Sequence, residues 1–68
     1  MAEQELNEAK ELTATSQELL EKVYQKVEEA KQASGAERAK LEKEAQDLYR
    51  QAQRLTGVAE RLVKKSAS

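Results

Sequence analysis

Glu5, Glu8 and Glu11 are the residues whose type and spacing come nearest to a chemical site. Steps of three put neighbouring carboxylates on one helical face, and clustered carboxylates are ligands for hard cations. The rest of the chain gives them little to work with. It has no His and no Cys, so it lacks the Glu-x-x-His pattern of a bundle metal site and the commonest proton shuttle and nucleophile. No Gly-rich phosphate loop occurs. The three carboxylates read as a solvated acidic face. The expectation is a non-enzyme with no catalytic residue, no cofactor and no metal.

A second cluster, Arg50, Arg54, Arg61, Lys64 and Lys65, makes a basic end. Phosphate contacts need such charge, but single-strand recognition also needs aromatic side chains among it. None interleaves here, so no nucleic-acid partner is expected and the charge reads as neutralised by Glu within the fold. Two further groups stand out. Thr13, Ser16, Thr56 and Gly57 bring hydroxyls and a missing side chain to an otherwise apolar pattern. Tyr24 and Tyr49, the only aromatics, are either edge residues wrapping a core or anchors of an interface, where Tyr is enriched.

The elements that must carry these residues follow from composition. Ala, Glu, Lys, Leu and Arg supply 43 of the 68 residues, and Pro is absent. That bias with helical periodicity marks long helices and coiled coils, and nothing forbids helix outright. No apolar run reaches the length of a membrane span or a signal-peptide core. The chain reads as soluble, without a secretion signal, cytoplasmic or of undetermined location, and with no membrane partner.

In the first half a seven-residue repeat places Leu6, Thr13, Leu20 and Val27 at a, and Ala9, Ser16, Val23 and Ala30 at d. Leu12, Leu19 and Ala33 fall at g and widen the stripe to that of a bundle helix. In the second half Ala45, Ala52 and Ala59 occupy a, and Leu41, Leu48, Leu55 and Leu62 occupy d. Tyr49, Thr56 and Val63 flank them at e. Alternating Ala and Leu lets two helices approach closely while Leu fills the gaps.

Between the halves, Gly35 can take the left-handed conformation that ends a helix. Ser34 and Glu37 have capping-box spacing. Both features put a turn at 34–35, between helices of about 2–33 and 36–66, in one all-α domain spanning 1–68. Thr15 and Glu18 also have capping-box spacing, which leaves a break near Thr13–Ser16 as the alternative, a three-helix chain. Equal helices with a short loop are antiparallel neighbours, so residue i lies near 70 − i. Charge agrees: residues 1–21 carry −5, residues 22–47 carry 0, and residues 48–68 carry +4. Glu5 is expected near Lys64 and Lys65, Glu8 and Glu11 near Arg61, and Glu18 near Arg50 and Arg54. Thr13, Ser16, Thr56 and Gly57 fall at one level, as a small-residue layer with hydroxyls bonded one turn back, or as a polar layer that fixes register or accepts a partner.

Two helices bury only the strip between them, and both stripes are wider than that. Leu12, Leu19, Tyr49 and Val63 are expected to stay exposed on a lone hairpin. The simplest closed solution is a homodimer of hairpins forming a four-helix bundle. The residues expected to build its core and interface are Leu6, Leu12, Leu19, Leu20, Val23, Tyr24, Val27, Leu41, Leu48, Tyr49, Leu55, Leu62 and Val63.

Ala45-Gln46-Asp47-Leu48-Tyr49-Arg50, with Gly57 beyond, resembles the second helix of the Rop family of plasmid copy-number regulators. The likeness spans residues 45–57. It implies a dimeric four-helix bundle of helical hairpins with Ala- and Leu-rich layers. That family's RNA-binding face uses first-helix residues including a Phe, which this chain lacks, so an RNA site is not implied. Ala52-Gln53-Arg54-Leu55-Thr56-Gly57 is similar to the second helix of small hairpin co-chaperones of type III secretion needles, which bind a helical-repeat chaperone. The expectation is thus a non-catalytic structural or protein-interaction module, a self-associating coiled-coil hairpin. The restricted alphabet and matched helices also suit an engineered or de novo bundle, for which Thr13, Thr15 and Ser16 are untidy. The alternatives are a hairpin serving another helical protein as co-chaperone or adaptor, an amphipathic lipid-surface binder, and a Rop-like RNA binder.

Overall fold

The computed structural model describes residues 2–67 as two long helices, α1 (Ala2–Gln32) and α2 (Gly35–Ala67). They pack side by side as an antiparallel hairpin with Cα extents of 51 × 13 × 11 Å. α1 runs unbroken through Thr13–Ser16. Two of the hydroxyls there bond back to carbonyls four residues earlier: Thr13 Oγ1 donates to Ala9 O at 2.8 Å and Thr15 Oγ1 to Glu11 O at 3.0 Å. Back-bonding satisfies these hydroxyls inside the helix, so the second capping box is not used and the three-helix alternative is not realised.

Only Ala33 and Ser34 separate the helices. Ala33 N donates to Ala30 O at 3.2 Å and tightens the end of α1. Gly35 turns the chain with φ +64°, a conformation glycine adopts without the Cβ clash that other residues suffer. Acid in the first turn of α1 (Glu3, Glu5) and base in the last turn of α2 (Lys64, Lys65) suit the helix dipoles.

Small residues form the seam. The buried side chains are Ala9, Ser16 and Ala30 from α1, and Ala45, Ala52 and Ala59 from α2. They are the d positions of one helix and the a positions of the other. No large side chain among the described residues is fully buried. The register follows 70 − i. Lys26 Nζ meets Glu44 Oε2 at 2.9 Å, and Ser16 bonds to both Ala52 and Thr56, which bracket position 54.

Candidate interaction surface

The helices are bridged directly at Ser16. Its hydroxyl is 3.0 Å from the Ala52 main-chain oxygen and 2.8 Å from Thr56 Oγ1. A serine hydroxyl has one proton. Ser16 donates it to Ala52 O, so the Thr56 hydroxyl donates to Ser16. A short side chain reaching the neighbouring backbone requires small residues on both helices, and Ala52 opposite provides that. Ser16 thus does what Thr13 does not: it joins the helices and fixes their register. No buried side-chain polar atom among the described residues lacks a partner.

To one side of this seam lie the leucines. Leu12 and Leu19 of α1, with Leu41, Leu48, Leu55 and Leu62 of α2, are half-buried. The register sets Leu12 between Leu55 and Leu62, and Leu19 between Leu48 and Leu55. Leu12 and Leu19 are therefore more covered than their width on the stripe predicts, because the α2 leucines stand on either side of each. Nearer the turn, Lys26 and Glu44 occupy the same edge. Their hydrogen bond is the main cause of two opposite shifts: it raises the Lys26 ammonium pKa and lowers the Glu44 carboxyl pKa. The opposite charges add to both, and partial desolvation opposes both.

The other side of the seam is a long shallow groove. Leu6, Ala9, Lys10, Thr13, Ala14, Gln17 and Val63 line its outer end. Thr13, Thr56, Ala59, Glu60, Val63 and Lys64 line the next stretch. Ser16, Leu20, Tyr49, Ala52, Gln53, Thr56, Gly57 and Glu60 line the stretch towards the turn. Thr13 and Val63 are shared by the first two, and Thr56 and Glu60 by the last two, so the groove is continuous. The large apolar side chains left exposed are Leu6, Tyr24, Val27, Tyr49, Val58 and Val63. By helical position all but Val58 belong to the groove face. Of the residues expected to form core and interface, then, Leu20 lines the groove half-buried. Val23 is half-buried on the seam. Leu6, Tyr24, Val27, Tyr49 and Val63 are exposed.

Three of the expected groups of acid–base contacts across the hairpin differ, those of Glu8, Glu11 and Glu18. Ion pairs form at Lys26–Glu44, Lys31–Glu28 and Arg38–Glu42, whereas among the described residues those of Glu8 and Glu11 with Arg61, and of Glu18 with Arg50 and Arg54, are not formed. The heptad gives the reason. Glu11, Glu18 and Arg50 sit at f, on the outer side of their helices, out of reach across the seam. Glu5, Glu8 and Glu11 do not converge with other carboxylates on a common point among the described residues. No helix among them is long and apolar enough to cross a membrane.

The buried alanines and Ser16 occupy the a and d positions of the seven-residue repeat, whereas the residues expected to carry core and interface are all larger. Their signal is present in the sequence as small residues on one seven-residue register, at 9, 16 and 30 with Val23 between, and at 45, 52 and 59. No protein family, curated protein or solved structure matches this chain.

Proposed function

We propose that this protein is a non-catalytic structural module, a helical hairpin that self-associates as a dimer into a four-helix bundle. One observation carries the reading: among the described residues the hairpin alone fully buries only alanine and serine, and leaves five large apolar side chains on the groove face. Dimension supports it. The radius of gyration is 15.5 Å, against about 11 Å for a compact domain of this length. The chain exposes 5450 Å², where a compact monomer of its mass exposes about 4,300 Å². A small domain without disulfide or metal needs another source of burial, and a second copy supplies it by covering the same face on both partners.

Sedimentation equilibrium over a wide concentration range, with circular dichroism on the same samples, tests this. A helical species at twice the chain mass is the expected result. A helical monomer at every concentration overturns the reading and turns the groove towards a different protein partner.

A further inference from the structure

We infer that the second copy docks groove to groove with its open end beside the open end of the first, so that α1 of each copy lies on α2 of the other. This rests on the self-association reading and adds the face, the symmetry and the register.

Three observations select the arrangement. The first is which side is unfinished. The leucine side is half-buried within one copy, while Leu6, Tyr49 and Val63 stand exposed along the groove, and Tyr24 and Val27 stand exposed on the same face nearer the turn. The excess surface, roughly 1,100 Å² over a compact monomer, is of the size a stable dimer covers, about 800 Å² per partner.

The second is register. Across the groove, Leu6 pairs with Val63, Thr13 with Thr56, and Leu20 with Tyr49. In each pair the residue numbers sum to 69, so each pair is a layer. A two-fold axis along the hairpin keeps these levels and doubles every layer with its own kind. The layers are uncharged, as an interface centre is.

The third is charge. Lys10 and Gln17 edge the groove on α1, and Glu60 and Gln53 edge it on α2. With α1 stacked on α2 of the second copy, Lys10 comes level with Glu60 and Gln17 with Gln53, because both sums are 70. The acidic 1–21 segment then overlies the basic 48–68 segment twice. The other two-fold arrangement sets open end against turn and stacks α1 on α1. It loses that match and brings like-charged stretches of the two acidic segments together. Complementary potentials choose between such registers.

A charge swap tests the pairing with exposed residues whose replacement leaves the hairpin seam untouched. Lys10→Glu alone and Glu60→Lys alone each create two like-charge pairs per dimer. Each should weaken dimerisation about tenfold at low salt, with helicity unchanged once assembled. A one-to-one mixture should recover wild-type affinity as a heterodimer, since it places Glu against Lys at both sites. Oxidised Gln17→Cys provides a second measurement. In the inferred arrangement residue 17 faces residue 53 and forms little covalent dimer, whereas open-end-to-turn stacking brings the two copies of residue 17 together. A wild-type dimer whose swapped mixture does not recover, or whose Gln17→Cys form crosslinks readily, overturns this arrangement and leaves self-association standing. A wild-type monomer overturns self-association itself.

Discussion

At the scale of single residues the two glycines have opposite roles. Gly35 holds φ +64°, and Gly57 sits within regular helix. A Cβ at either position meets nothing within 4 Å, so backbone conformation alone sets the sign. Gly35→Ala should destabilise the hairpin by about 1 kcal/mol through left-handed strain. Gly57→Ala should stabilise it by about 0.5–1 kcal/mol through helix propensity. Urea denaturation of both variants checks the pair, and two shifts of the same sign would contradict it. Ser16 makes a second case. Ser16→Ala removes the bridge and leaves the Thr56 hydroxyl without this partner, at a cost of about 1 kcal/mol. Ser16→Leu forces bulk against Ala52 and should cost more, about 1–3 kcal/mol. If Ser16→Leu melts at or above the wild-type temperature, the close seam is wrong.

Between the helices, the Lys26–Glu44 ion pair crosses the hairpin and ties stability to pH. Glu44 has a lowered pKa, so its contribution is present above the unfolded carboxyl value and is lost as pH falls through the lower folded value. Lys26 has a raised pKa, so its contribution is present below the unfolded ammonium value and is lost as pH rises through the higher folded value. The melting temperature of the wild type should exceed that of Glu44→Gln near neutral pH. The difference should close in strong acid and again in strong alkali. The gap is expected to be small, because both side chains are about one-third exposed. A gap that persists unchanged into strong acid would show that Glu44 acts through something other than its charge.

For the molecule as a whole, folding and association are expected to be one event. A hairpin whose fully buried side chains are alanine and serine and whose leucines are only half-buried leaves much of its apolar area in water, where burial would contribute about 25 cal/mol per Å². Its melting temperature should rise with concentration. Moving from near the dissociation constant to about 100 times above it adds about 2.7 kcal/mol. Leu20→Asp, on the groove, and Leu48→Asp, in the leucine row, should both abolish assembly. Tyr49→Glu should weaken it, while Val58→Glu, on the other side of α2, should not. A melting temperature independent of concentration, or equal effects at Tyr49 and Val58, would locate the stabilising contacts elsewhere.

Local and periodic features are legible in the sequence itself. The absence of Pro, the seven-residue spacing of Ala and Leu, and Gly35 flanked by helix formers determine two helices and a turn, because helix propensity and left-handed backbone are properties of short segments. Matched helix lengths set the 70 − i register, since the chain can only fold back on itself at that turn. Tertiary structure decided what periodicity leaves open. A stripe wide enough for two seams does not say which edge faces the neighbour. Packing chose the small residues, because Ala52 and Ser16 let the hydroxyl of one helix reach the backbone of the other, and that choice turned Leu12, Leu19 and the α2 leucines to one flank, and Leu6, Leu20 and the tyrosines to the other. It also placed Glu11, Glu18 and Arg50 outward, so a charge asymmetry visible along the sequence became a property of the whole surface instead of a set of contacts.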